Sequence, residues 1–296
     1  MSNLQHLVIT PVRNEAEFLP NCIKSVLSQT MRPTKWILID DNSDIETKEI
    51  LSELLNGNSW IEIVQVSDGI SRKRGERIAK LVSLGLSKAN LNWDYFSKID
   101  GDIILPKGYF QNIFSEFEDD PELGIASGNC KVKKGSGWRV EKVSSDHTRG
   151  AIKTYRASCF REIGGIEEVD GWDGIDNIMA QMAGWKTKNF PEILVEHQRN
   201  TGSANGLIRG RFETGRIAHY MGYHPIFMIL RCAGECLSKP MIIGGFAMLA
   251  GYFYRAILGG SIFPKPGVVK FMRKKQLSRI GLSKSPASVK KSIIEE

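Results

Sequence analysis

The chain has 296 residues, of which 42% are hydrophobic and 25% charged, with a net charge of +7 and a pI near 9.1. Such a chain can hold one large α/β domain, or a domain plus an extension, around a sizeable core. Its positive balance favours an anionic partner: a nucleotide, a nucleic acid or an acidic membrane surface. Five cysteines (Cys22, Cys130, Cys159, Cys232 and Cys236) are scattered and odd in number, which argues against a disulfide framework and suits a reducing compartment. No Cys-x-x-Cys pair is present to build a structural zinc site. The apolar run Leu7-Val8-Ile9 starts almost at once, leaving no room for a signal peptide, so a cytoplasmic location is expected.

In chain order, Leu7 to Ile9 reads as a strand. Glu15 to Gln29 reads as a helix with Phe18, Leu19, Cys22, Ile23, Val26 and Leu27 on one face. Trp36 to Ile39 is a second strand, Glu46 to Leu55 a second helix, and Ile61 to Val66 a third strand. A basic helix from about Ser71 to Lys88 follows, then a buried strand ending at Ile99 and a helix starting near Pro106. This alternation predicts a mostly parallel sheet flanked by helices on both faces. Ligands of such sheets bind beyond the carboxy ends of the strands. Three polar clusters fall there: Pro11 to Glu15, Asp40 to Ser43, and Asp100-Gly101-Asp102.

Each cluster has its own chemistry. Two carboxylates one residue apart at a strand end, Asp100 and Asp102, form a hard-oxygen claw for Mg²⁺ or Mn²⁺, ions usually shared with substrate phosphates. One residue among Asp41 to Asp44 caps the second helix. That leaves a spare carboxylate able to accept a uracil imide N–H or to bind ribose hydroxyls. Arg74, at the start of the basic helix, is the residue best suited to reach a diphosphate, whereas Arg72, Lys73 and Arg77 read as a solvated face.

These segments resemble the family 2 glycosyltransferases of GT-A fold. The resemblance rests on Val8 to Glu15, Ser25 to Thr30, Ile37 to Ser43, Gly69 to Arg74, Asp100-Gly101-Asp102, and Gly164-Gly165 followed by Gly171-Trp172-Asp173. It covers roughly the first two hundred residues. It implies a nucleotide-diphospho-sugar transferase fold and an inverting transfer of a hexosyl group from a nucleoside-diphosphate sugar, UDP-linked by preference, to the hydroxyl of a glycan or glycolipid acceptor. By resemblance, Asp41 holds the base, Asp102 the metal and diphosphate, and Asp173 the acceptor hydroxyl. Pro11, Arg13, Glu15, Asp41, Arg74, Asp100 and Trp172 then form the substrate-binding set, and Asp100, Asp102 and His197 the metal set.

The family usually has Glu-Asp where this chain has Trp172-Asp173, so Asp176 is a rival base that shares a helix face at i, i+3. Trp172 serves either as an aromatic platform for a sugar or as a core residue. His197 either completes the metal shell or is a hydrogen-bonded histidine at a strand end. Arg199, with the turn Thr201-Gly202-Ser203, is a candidate lid over the diphosphate. Two other function classes compete with transfer. A nucleotidyltransferase making sugar nucleotides would carry a glycine-rich phosphate loop, and Pro11 to Glu15 contains no glycine. A non-catalytic sugar-nucleotide-binding relative need not keep Asp100, Asp102 and Asp173.

After residue 202 the character changes. Residues 203–264 are read as an apolar or amphipathic helical extension with an uncharged stretch from Met241 to Tyr254, and residues 265–296 as a basic tail. The uncharged stretch is short for a span and fits an interfacial or buried helix. Bordered by lysine and arginine, it favours association with an anionic membrane at the cytoplasmic face, the alternatives being a helical cap on the catalytic domain or a solvated tail after about Leu282. Nucleic acid is not expected, because the basic residues lack interleaved aromatic platforms.

Overall fold

Residues His6–Val12 form the first strand (β1), flanked by β2 (Lys35–Asp40) and β4 (Tyr95–Ile99), with β3 (Ile61–Gln65) outside β2. The order β3-β2-β1-β4 is parallel throughout. Leu7, Val8 and Ile9 are all fully buried, as a strand covered on both faces requires. Alternation assigns the faces: Val8, Trp36 and Leu38 pack with α1 (Leu19–Leu27), α2 (Ile45–Leu54) and α4 (Tyr109–Asp119). Ile9 and Ile39 point the other way, onto α3 (Arg74–Lys88), where Gly85 meets them. Burying each such side chain contributes about 1.5–3 kcal/mol. This computed structural model describes residues 4–66, 74–135, 137–141, 143–199, 206–236 and 242–286. The chain divides into two compact units, Met1–Arg199 and Asn200–Glu296.

Beyond β4 the expected parallel order gives way to a mixed sheet. β8 (Ile152–Arg156) runs antiparallel to β4, and β6 (Leu123–Lys134) antiparallel to β8 and to β7 (Gly137–Val140). β9 (Lys186–His197) is parallel to β6, and the short β5 (Ile103–Ile104) pairs antiparallel with the end of β9. These strands are hard to read from sequence because small residues hide their alternation: β6 carries Gly124, Ala126, Ser127 and Gly128 within a fully buried run. The β5–β9 pairing sets Ile103 opposite His197, which brings the late strand beside Asp102.

Helix boundaries also serve the site. α1 begins at Leu19 rather than Glu15, because Pro20 sits in its first turn and the Glu15 carbonyl accepts the Phe18 and Leu19 amides instead. Glu15 is thereby held outside the helix, its own amide donating to Thr47 Oγ1 at 3.0 Å. α5 (Ala157–Glu162) follows β8, and α6 (Trp172–Met182) starts after Gly171, whose φ of +79° only glycine adopts cheaply.

The second unit is helical: α7 (Leu207–Met221), α8 (Pro225–Glu235), α9 (Ile243–Ile257) and α10 (Pro266–Arg279). Gly215 and Gly251 let α7 and α9 approach so closely that a Cβ at either would collide with the other helix's backbone, at Met248 and Phe212. Met228, Cys232, Met248 and Tyr252 form the small core. Residues from 265 onward do not begin as a free basic tail. α10 buries Val268, Val269, Met272 and Gln276, and Arg273 Nε donates to the Gly222 carbonyl at 2.7 Å. The apolar residues of α10 recur at helical spacing, which the dense lysines obscure in sequence. Residues 287–296 lie outside the described set.

Candidate active site

The Asp-Gly-Asp turn follows β4 directly. Lys98, almost fully buried in that strand, pairs with Asp100 Oδ1. Asp102 accepts from Arg199 Nε at 2.8 Å and lies 3.3 Å from His197 Nε2. The other arm of Arg199 holds Glu15 Oε1 at 2.5 Å, so one guanidinium ties the β1 loop to the aspartate turn. Burial pulls the Asp102 pKa up, but the hydrogen bonds and charges of His197 and Arg199 outweigh it and hold it at about 2. Burial also raises the Glu15 carboxyl, against the opposing pull of Arg199. One oxygen of each carboxylate, Asp102 Oδ1 and Glu15 Oε2, is buried with no hydrogen-bond partner among the described residues. A buried carboxylate oxygen without a partner is costly, by about 1–3 kcal/mol or more, unless an ion or water meets it. Hard oxygens of Asp100 and Asp102 beside an imidazole therefore fit a divalent cation of the Mg²⁺ or Mn²⁺ type. His197 also lies in a trio with Cys130 and Glu141, whose ligand atoms come within 4.8 Å of one another. There the Arg149 guanidinium already pairs with Glu141.

At the end of β2, Asp44 caps α2 by accepting the Thr47 amide at 2.9 Å, and Asp40 accepts the Ser43 amide at 2.9 Å. Asp41 is free of capping duty but not of partners. Arg77 grips both of its oxygens, and Arg13 Nη1 lies 3.4 Å away. Arg77 is therefore no solvated face: its side chain is 15% exposed, drawn in by the buried carboxylate. Pro11 sits in β1 beside Ile39, and Arg13 is largely exposed. Ser71, Arg72 and Lys73 lie outside the described residues, as does the side chain of Arg74, the expected diphosphate ligand; its backbone opens α3.

The third group stands on α6. Asp173 lies in its first turn, half-buried, with its carboxylate against the Gly150 backbone; a Cβ there would stand 2.7 Å from Asp173 Oδ2. Asp176 is 1% exposed and fully engaged: Lys153 Nζ donates to both oxygens at 2.7 and 2.9 Å, and Tyr155 Oη and the Asn177 amide donate as well. As a rival proton acceptor it is misplaced, because its carboxylate is spent on a buried ion pair. Lys153 Nζ also donates to the Asp173 carbonyl at 2.6 Å. Trp172, only 4% exposed, presents no free platform for a sugar. Two ammonium groups lie near its ring instead, Lys98 Nζ at 5.7 Å and Lys153 Nζ at 5.5 Å from the centroid.

Sequence reading missed this connecting piece. Lys98 and Lys153 face each other across the β4–β8 ladder, an arrangement that repels unless each charge is answered. Asp100 answers one, Asp176 the other, and the Trp172 ring lies by both. The chain thus joins the metal-type aspartates to the helix bearing Asp173. The available signal was a lysine inside each of two short strands, Lys98 in Tyr95–Ile99 and Lys153 in Ile152–Arg156. Arg199 likewise clamps Glu15 and Asp102 rather than standing apart as a lid; Thr201 to Ser203 lie outside the described residues.

Comparison with known proteins agrees with this architecture. Poly-beta-1,6-N-acetyl-D-glucosamine synthase of Staphylococcus aureus (strain COL) is 25% identical over 142 residues, 47% of this chain and 32% of that protein. Glycosyltransferase GlyG of Streptococcus pneumoniae is 21% identical over 122 residues, 41% of this chain and 38% of its own length. These alignments span about a third of the curated relatives' length. Among solved structures, GalNAc-T7 with UDP, GalNAc and Mn²⁺ superposes with a TM-score of 0.58 at 17% identity, covering 94% of this chain and 58% of that one. A mannosyltransferase from Pyrobaculum calidifontis with GDP-Man and Mn²⁺ gives 0.53 at 12% identity, covering 95% and 76%. The sequence profile described as Glycosyl transferase family 2 matches residues 7–167, more than half the chain. With its mixed sheet, its Asp-Gly-Asp turn at the β4 end and these matches, the chain belongs to glycosyl transferase family 2 and has the GT-A fold.

Proposed function

We propose that this protein is a divalent-metal-dependent, inverting transferase that moves a hexosyl group from a nucleoside-diphosphate sugar, UDP-linked by preference, to an acceptor hydroxyl. The acceptor belongs to cell-surface glycan or glycolipid synthesis, and the protein works peripherally at the cytoplasmic face of the membrane. The observation that carries the reading is Asp102, a buried carboxylate with one unpartnered oxygen, set among Asp100, His197, Glu15 and Arg199. The UDP and Mn²⁺ of GalNAc-T7 and the GDP-Man and Mn²⁺ of the Pyrobaculum enzyme support a nucleotide diphosphate and a divalent ion. The poly-N-acetylglucosamine synthase relative supports polysaccharide synthesis.

The roles follow from charge and position. Asp41, oriented by Arg77 and Arg13, receives the base or ribose. A divalent ion held by Asp100 and Asp102, with His197 beside them, would neutralise the charge that grows on the departing diphosphate. Asp173 takes the proton of the acceptor hydroxyl as its oxygen bonds to the anomeric carbon, a contribution of ~10²–10⁴-fold. The bond from that carbon to the diphosphate breaks on the opposite face, which inverts the centre without a covalent enzyme intermediate. Asp176 and Lys153 hold α6, and through it Asp173, in register.

Calorimetry of UDP binding with Mn²⁺ and with a chelator tests the reading, followed by a hydrolysis screen of sugar nucleotides. Binding should be strong with the ion and largely lost without it. Equal affinity in both conditions removes the metal from the proposal, and no turnover of any sugar nucleotide, with or without glycan acceptors, removes transfer.

A further inference from the structure

We infer that the outer face of α9 is a docking surface for an anionic lipid bilayer, which the second unit meets with one helix lying in the interface. This deepens the membrane-peripheral reading above and rests on it for its biological sense, though not for its physics. Ile243, Phe246, Ala250, Phe253, Tyr254 and Ile257 recur at helical spacing and are all exposed, Phe246 at 64% and Ile257 at 82%. The opposite face buries Gly244, Gly245, Met248, Gly251 and Tyr252. The single charge on the helix, Arg255, is turned inward over the Tyr220 ring at 5.2 Å. A helix on the surface of a protein in water shows the reverse, with charges outside and large apolar residues inside. Small residues packed against the neighbouring helix and large apolar residues turned outward are the pattern of helices whose outer solvent is lipid. α8, which packs on α9 where Gly245 meets the Cys232 carbonyl, adds Ile226, Ile229 and Leu230, each about half exposed.

Charge selects the occupant. Residues 200–296 carry 15 of the chain's 40 lysines and arginines but only 4 of its 33 acidic residues. The positive balance of the whole protein therefore resides in the unit that exposes the apolar face, and the first unit is net acidic. An anionic bilayer offers both complements at once, hydrocarbon for the stripe and phosphate headgroups for the basic residues of α10. Lying flat is also what the dimensions allow. α9 has 15 residues, about 22 Å of helix, against a hydrocarbon core of about 30 Å. No helix among the described residues is long and apolar enough to cross a membrane.

The test uses the full chain and vesicles of mixed phosphatidylglycerol and phosphatidylcholine, with phosphatidylcholine alone as the neutral control. The wild type should sediment with the anionic vesicles, and ~0.5 M salt should release it only in part, since salt screens the basic residues but not the stripe. The exposed-site double variant Phe246→Asn/Ile257→Asn should lose at least about tenfold in partitioning while keeping its circular dichroism and UDP affinity. Because all six tryptophans lie in the first unit, Phe246→Trp supplies a reporter whose added emission brominated lipids should quench. Wild type remaining in the supernatant at low salt overturns the inference, as does a double variant that sediments like wild type. Self-association of the wild type without vesicles, abolished in the double variant, would make a second copy the occupant and equally overturn it. Loss of UDP binding by the wild type would instead count against the transferase reading and leave the docking face untouched.

Discussion

Replacing Lys153 by methionine should destabilise the first unit by about 3–5 kcal/mol, the cost of stranding one member of a buried ion pair. The structure supports the upper part of that range. The Lys153 and Asp176 side chains are 0% and 1% exposed, so no water replaces the lost ammonium. Tyr155 Oη and the Asn177 amide remain as donors to Asp176, which keeps the loss finite. At about 2–4 °C per kcal/mol for a unit of this size, the melting temperature should fall by about 6–20 °C. Urea unfolding followed by tryptophan fluorescence reads the first unit alone, because all six tryptophans lie before residue 200. The double variant Lys153→Met/Asp176→Leu should recover at least about half of the loss, since removing both charges also removes the stranded one and relieves the repulsion with Lys98 across the ladder. Where Lys153→Met is still folded, transfer should fall while UDP affinity holds, because the hydrogen bond to the Asp173 carbonyl is gone. A shift below about 1 kcal/mol, or a double variant no better than the single, would refute the view of this pair as the anchor of α6.

Three further outcomes are expected. Asp173→Asn should abolish transfer with UDP binding nearly intact, whereas Asp176→Asn should show its main loss in urea unfolding; reversed severity in a transfer assay would move the proton acceptor to Asp176. Gly150→Ala should press on the Asp173 carboxylate and lower kcat with little change in UDP affinity, and a fully active Gly150→Ala would mean that Asp173 shifts without consequence. His6, buried edge-on to Phe110 and Phe114 with Nε2 bonded to Ser97, has its pKa lowered by burial to about 3. It stays neutral in the fold while the unfolded chain takes up a proton below its ordinary value of 6.5. Its contribution is therefore complete above that value and is lost as pH falls toward about 3. From about pH 8 to about pH 5 the loss is about 2 kcal/mol. His6→Asn should be less stable at the higher pH yet lack this part of the acid loss, and an unchanged pH slope would refute the assignment.

Local patterning accounts for the parts of this protein that short segments decide. The apolar runs of β1, β2, β3 and β4, the helical face of α1, the place of α2, and the carboxylates waiting at strand ends follow from periodicity and from where a strand must stop. The order of motifs from Val8 to Asp173 was enough to suggest the family that the profile match bears out. Which charges meet depends on packing between distant segments. Lys98 and Lys153 are 55 positions apart in the chain and become neighbours only through the antiparallel register of β4 and β8. Arg77 and Asp41 read in sequence as a solvated cation and a spare carboxylate. They become a buried pair because α3 crosses the sheet where β2 ends. Asp173 and Asp176 are equivalent as letters, three residues apart on one helix, and burial separates them: one carboxylate lies half-buried against Gly150, the other inside a cage of lysine and tyrosine. Composition fixes how much charge a chain carries. Which charge is desolvated, which is paired and which stays available for chemistry is set by long-range register and packing, and those carry no local signature.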